Sequence, residues 1–263
     1  MLKKILAAVL AAAAVSATAV VGFAEVKTIT PGVLTVVTSA DYPPFEFHKM
    51  IDGNDQIVGY DMSIAKYIAD SLGLELEIKD VNFDSCLLEL STDKADVCLA
   101  GLQATEERMM AYDFSDTYYH VGQCLVVRKG DAEKYKSAAD FNGKSVSAQS
   151  GSLQITVGET CIPESPITQL AKIPDLLLDL AAGKCDGAII ETLVAKTFIA
   201  NNDAFEVAFE FDFETAGNSA AVKKGNTEML NAINAALAEL KGNDKATDEA
   251  FLNEAAALAA DEM

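Results

Sequence analysis

Residues 88–99 recur in pattern as residues 178–189, at an offset of 90. Leu88, Leu90, Lys94, Asp96 and the apolar run to Leu99 are matched by Leu178, Leu180, Lys184, Asp186 and the run to Ile189. Each copy reads as a helix end, a turn and a buried strand. Such a unit, repeated, calls for two α/β lobes of like construction. A strand that follows a helix in this way joins its predecessor in parallel, through a crossover.

The flanking sequence extends both units. Val33–Thr38 is a β-branched run that reads as a strand. Met62, Ile64, Ala65, Ile68, Ala69 and Leu72 fall at helical spacing, and Gly73 stands where a helix should end. Leu74–Ile78 alternates as a second strand, and Val97–Ala100 reads as a third. Asp84 and Asp175 are expected to cap the helices that precede the repeated strands. Gln123–Arg128, Ser145–Ala148 and Asn218–Val222 read as further strands, and Thr227–Leu240 as an amphipathic helix. The expected division is lobe 1 from 25–119 plus 217–263, lobe 2 from 124–211, and a two-strand hinge at 120–123 and 212–216. Each lobe is expected to be a mainly parallel sheet flanked by helices. The carboxyl ends of both sheets would then face one cleft, where open α/β sheets bind ligands.

The chain begins with Lys3 and Lys4, an apolar run from Ile5, and a small-x-small end at Gly22-Phe23-Ala24. That order reads as a secretory signal peptide cleaved near Ala24, with a membrane anchor as the alternative. Export to the periplasm or outside follows. The formal charge is −20, and loss of the two lysines in residues 1–24 takes it to −22. A surface so acidic repels nucleic acid and anionic lipid. The five cysteines form no CxxC pair and only two histidines are present, so no metal site and no cofactor is expected. Asn142-Gly143-Lys144-Ser145 ends like a phosphate loop but has Ala138 where the first glycine is required. The tail from Asp244 to Met263 is alanine-rich, acidic and expected to be helical.

Chemistry collects just past the repeated strands. Gly101 lets a ligand approach the backbone, and Thr105 can cap the next turn. Arg108 offers a planar fork suited to a carboxylate. By residue type alone a surface ion pair to Glu106, Glu107 or Asp113 is the readier reading. Glu191 follows the second repeated strand and would attract an ammonium. Opposite charges at equivalent strand ends of two lobes suit an α-amino acid zwitterion. Ser152 opens a helix whose free N–H groups can bind an anion, or simply caps it.

The motifs Asp41-Tyr42-Pro43-Pro44-Phe45-Glu46-Phe47, Val58-Gly59-Tyr60-Asp61, Gly101 through Arg108, Asp113 through Tyr119 and Asp186 through Glu191 carry a specific resemblance. In order and spacing the chain resembles the amino-acid-binding proteins of ABC importers, solute-binding protein family 3. The resemblance implies a type II periplasmic-binding-protein fold and a monomer that delivers a free amino acid to a membrane ABC permease. It implies that Arg108, with Thr105 and the Ser152 segment, holds the α-carboxylate. Glu191 and the backbone near Gly101 would hold the ammonium, and Tyr42 and Phe83 would flank the side chain. For Tyr42 and Phe83 the residue types alone favour core packing.

The chain departs from the family at several positions. Glu191 replaces the usual Asp, Gln103 a frequent Ser or Thr, and Leu153 a frequent Thr. Ser39 stands where an acid often meets cationic ligands, which points away from arginine and lysine. Periplasmic cyclohexadienyl or arogenate dehydratases resemble the same fold and offer an enzymatic alternative, with Glu191 as the acid. A sensory amino-acid-binding module is a second one. An exported chain meets an oxidising compartment, so a Cys161–Cys185 disulfide in lobe 2 is a further expectation.

Overall fold

The computed structural model describes residues 26–260. The signal-peptide reading of residues 1–24 therefore lies outside the described residues.

The first lobe opens with β1 (Val33–Thr38), buried along nearly its whole length on both faces, as a central parallel strand must be. A small antiparallel sheet follows, β2 (Asp41–Tyr42), β3 (Glu46–Ile51) and β4 (Asn54–Val58). Its tight turn is Asp52-Gly53, both with positive φ (51° and 78°). That Asp-Gly pair is a hairpin signal which the strand and helix alternation alone passes over. Helix α1 (Tyr60–Leu72) ends on Gly73 in the left-handed conformation (φ 68°), as expected. Then come β5 (Glu75–Asp80), α2 (Phe83–Ser91), β6 (Val97–Cys98), α3 (Glu106–Ala111) and β7 (Tyr112–Phe114).

The second lobe contains β8 (Gln123–Arg128), α4 (Ala138–Phe141), β9 (Val146–Gln149), α5 (Leu153–Cys161), β10 (Ile167–Leu170), α6 (Ile173–Ala181), β11 (Gly187–Glu191), α7 (Thr192–Ala200) and β12 (Phe205–Glu210). The chain returns to the first sheet with β13 (Ala221–Lys223) and closes with α8 (Thr227–Gly242) and α9 (Lys245–Ala260).

The sheets run β5-β1-β6-β13-β7 and β10-β9-β11-β8-β12. In each, the first three strands are parallel and the last two antiparallel to their neighbours. The antiparallel strands flank the two passages between lobes, where Tyr119 bridges Asn218 and Phe211 N–H donates to Gln123 O at 2.8 Å.

The duplication extends to single hydrogen bonds. Thr35 N–H donates to Asp96 Oδ2 at 2.9 Å in lobe 1, and Ser145 N–H to Asp186 Oδ2 at 3.0 Å in lobe 2. The matched turns place Asp93 (φ 54°) and Gly183 (φ 70°) in the same left-handed conformation. The two acids thus tie the start of a parallel strand to the turn before its neighbour.

Two local expectations are corrected. Asp84 and Asp175 do not cap; α2 starts after Asn82 and α6 after Lys172, and neither of these N-cap residues makes a side-chain cap hydrogen bond. Both acids instead sit in the first helical turn, where they still complement the helix dipole.

The Cys161–Cys185 bridge is also absent, since all five cysteines are free thiols. β9 lies between β10 and β11, so the crossovers through α5 and α6 run in opposite directions across the sheet. With right-handed crossovers the two helices fall on opposite faces. Cys161 ends α5 and packs with the Leu125, Val127 and Ile189 face. Cys185 packs on the other face with Leu176, Leu180 and Ile190, its Sγ 3.6 Å from Ser147 Oγ.

Candidate ligand-binding site

The carboxyl ends of β1, β6, β9 and β11 converge on a narrow recess between the lobes, its free volume about 10 Å³ in this closed arrangement. Tyr42, Phe83, Gly101, Gln103 and Arg108 line it from lobe 1, and Ser152, Leu153 and two glutamines from lobe 2.

Thr105 caps α3, its hydroxyl accepting Arg108 N–H at 3.3 Å, as expected. That cap places Arg108 one turn into α3 with its side chain over the Phe83 ring, 5.6 Å from the centroid. The guanidinium donates to Gln103 O at 2.8 Å and, across the cleft, to Gly151 O at 2.9 Å. Burial lowers its pKa from the usual arginine value. A cation held by two carbonyls keeps its charge available to an anion.

Glu191, at the end of β11, is fully buried. Tyr42 donates its hydroxyl to Oε2 at 3.3 Å, and the buried Asn218 amide faces the carboxylate, while Oε1 makes no hydrogen bond within 3.5 Å among the described residues. Burial, reinforced by the Asp61 carboxylate, pushes Glu191 well above the ordinary carboxylate range. A buried acid of this kind becomes favourable as an anion only beside a cation.

Gly101 adopts φ 55°, and a Cβ there would approach Tyr42 Cε1 to 2.9 Å. Its N–H goes to Asp61 Oδ2 at 2.9 Å, so only its carbonyl remains for an ammonium. Gln103 pairs with Asn218 in an isolated bridge, and its Oε1 is buried with no partner among the described residues. Ser152 turns its hydroxyl back to Gln149 O at 2.7 Å, leaving the first N–H groups of α5 as the polar contribution from that segment. Leu153 is the first residue of that helix.

Residue typing missed three acids. Asp61 accepts both Gly101 N–H and the Tyr118 hydroxyl, the latter at 2.6 Å. Glu46 lies fully buried, and burial with Asp61 nearby raises its pKa well above the usual value. Asp41 reaches across the cleft to Ile173 N–H at 2.7 Å, so the α6 N-terminus is capped by the opposite lobe. Gln149 and Gln154 were also missed. Gln149 ends β9, so the strand-end reasoning that found Glu191 could have found it.

Lys172 adds another crossing contact, 3.3 Å from Ser39 Oγ. Together with the Arg108–Gly151, Asp41–Ile173 and Tyr42–Glu191 contacts, it defines a closed arrangement of the lobes.

A family model described as "Bacterial extracellular solute-binding proteins, family 3" matches residues 34–249. The "Arginine-binding extracellular protein ArtP" of Bacillus subtilis is 35% identical over 80% of this chain and 81% of its own length. The "L-cystine-binding protein TcyJ" of Escherichia coli is 29% identical over 91% of this chain and 90% of its own. Among solved structures, the amino acid ABC transporter substrate-binding protein AbpA of Streptococcus pneumoniae, bound to L-arginine, superposes with TM-score 0.84. It is 34% identical over 88% of this chain and 97% of its own. "An ancestral arginine-binding protein bound to glutamine" gives TM-score 0.78 at 33% identity, covering 86% and 98%.

Proposed function

The chain belongs to the bacterial extracellular solute-binding proteins of family 3, and we propose that it holds one free amino acid between its lobes for delivery to an ABC-type importer. Arg108, aided by the α5 N-terminus, binds the α-carboxylate. Glu191, with Tyr42 beside it, takes the ammonium. Thr105 acts through the cap that positions Arg108. The hinge is at 120–123 and 212–216, between lobe 1 (25–119 plus 217–263) and lobe 2 (124–211). The protein is a monomer, exported to the periplasm or outside and cleaved near Ala24. It is a binding protein, as the relatives at full length are by their names, and it turns nothing over.

The observation that carries this reading is Glu191. An orphaned, fully buried carboxylate oxygen at the lobe interface calls for a cation, and the recess beside it holds an arginine for the anion. Calorimetric titration with L-amino acids tests it. Saturable binding is expected, with loss when the ammonium is absent, as in an α-keto acid of the same side chain. Equal binding of the keto acid would remove Glu191 from the ammonium role. Turnover of arogenate or prephenate would return the enzymatic alternative.

A further inference from the structure

Gln149 is held in one orientation. Its Nε2 lies 3.0 Å from Asp41 Oδ2 and 3.1 Å from Ala171 O. A primary amide has two N–H hydrogens, and both are used. With Asp41 ionised, neither partner can reverse. Ala171 offers a carbonyl, which only accepts. Asp41 takes Ile173 N–H on Oδ2 at 2.7 Å and the Ser39 hydroxyl on Oδ1 at 2.9 Å. The Ser39 proton is committed to Asp41 because Lys172 Nζ donates to the Ser39 oxygen at 3.3 Å. Turning the amide over would set Oε1 against two oxygens. Gln149 Oε1 therefore remains its one free hydrogen-bonding atom, an acceptor on a residue that lines the recess.

Gln154 differs: its Nε2 lies 2.8 Å from Gln123 Oε1 and 3.3 Å from the Tyr42 hydroxyl, and both partners can donate when turned, so its amide is not fixed in the same way. The carboxylate of Asp41 is already consumed by its three donors.

We propose that this site selects ligands whose side chains end in N–H donors, an amide or a guanidinium, with Gln149 Oε1 as the selecting atom. Asp41 is the positioning residue that fixes the amide. This rests on the amino-acid-binding reading above and adds the side-chain class to it. A carboxylate-ended side chain meets an acceptor oxygen and no free donor from Gln149, and a hydrocarbon end leaves that oxygen unpaired. Sites that hydrogen-bond a substrate group discriminate strongly against analogues lacking it.

The test is calorimetry with L-glutamine, L-arginine, L-glutamate and L-leucine. Glutamine or arginine is expected to bind at least about 100-fold tighter than glutamate or leucine. In Asp41→Ala the carboxylate acceptor is lost and only Ala171 O still holds the Gln149 amide, so Gln149 can turn. The glutamine-to-glutamate affinity ratio should then fall at least about tenfold, beyond any loss shared by both ligands from the weakened lobe contact. Gln149→Met should lower the same ratio. A common loss with an unchanged ratio in both variants would make Asp41 and Gln149 closure contacts only and overturn the proposal. Glutamate or leucine binding as tightly as glutamine and arginine to the wild-type chain would overturn it too, while leaving the amino-acid-binding reading intact. Absence of binding by every amino acid would remove that reading and this one with it.

Discussion

Arg108 Nη2 of the first lobe lies 2.9 Å from the Gly151 carbonyl oxygen of the second. The residue assigned to the ligand carboxylate is thus also a closure contact. Arg108→Ala removes both roles. Breaking one side of a buried charged pair costs roughly 2–5 kcal/mol, about 30-fold to several thousand-fold in affinity. The fold should persist, because α3 contributes no buried residue. Calorimetry beside a thermal melt checks both halves, and unchanged affinity would exclude Arg108 from the site. Lys at this position should recover little, since it lacks the planar fork.

Burial raises the pKa values of Glu191, Glu46, Asp41 and Asp61, with Asp61 adding to the shift at Glu191 and at Glu46. Acids that hold protons more firmly when folded stabilise the fold at low pH. That contribution is lost as pH rises from the unfolded carboxylate value, about 4, through the raised folded value. The ligand-free protein should therefore melt higher at about pH 5 than at about pH 8. A melting temperature that rises over this interval would contradict the shifts.

An ammonium beside Glu191 favours the ionised carboxylate, so binding should release a proton. Affinity should then increase with pH across the same window. Titration in two buffers of different ionisation enthalpy measures the release directly. Identical heats in both would show that Glu191 is already ionised in the ligand-free protein.

Gly101→Ala places a methyl group 2.9 Å from Tyr42 Cε1 at a residue with φ 55°. The left-handed backbone costs about 1–2 kcal/mol for an L side chain, and Tyr42 must shift from Glu191. Lower stability and weaker ligand binding are expected together, read by a melt and by calorimetry. Stability lost without any change in affinity would separate Tyr42 from the ligand.

Helix α9 is pinned to lobe 1 by Asp248, which accepts the Tyr60 hydroxyl at 2.7 Å and pairs with Lys241 at 3.0 Å. Asp248→Ala leaves the hydroxyl without its acceptor and Lys241 with only the Tyr60 oxygen, 2.6 Å away. The cost should be about 1–2 kcal/mol, or roughly 2–8 °C in melting temperature. A melt within a degree of wild type would show that apolar contacts alone hold α9.

Closure about 120–123 and 212–216 should reduce the radius of gyration when ligand is added, a hinge motion. Small-angle scattering reads this. Superposable profiles with ligand demonstrably bound would place the protein in the closed form throughout.

What was legible in sequence was what lies along the chain. The six-residue run of β1, the helical spacing of α1 and its glycine stop, and the repeat at offset 90 are local or periodic signals. The rule that ligands meet the carboxyl ends of parallel strands led to Arg108, which lines the recess, and to Glu191, which lies buried behind Tyr42. Tertiary structure decided whatever depends on which face or which lobe a residue meets. Cys161 and Cys185 lie 24 positions apart, yet opposite crossover directions separate them by the thickness of a sheet. Asp175 stands one turn from the start of α6, yet Asp41, 132 residues from Ile173, supplies the acceptor there. The amide of Gln149 has no orientation in a sequence. Asp41 and Ala171 set it only when the two lobes come together, because a hydrogen bond's direction depends on positions in space that spacing along the chain does not contain.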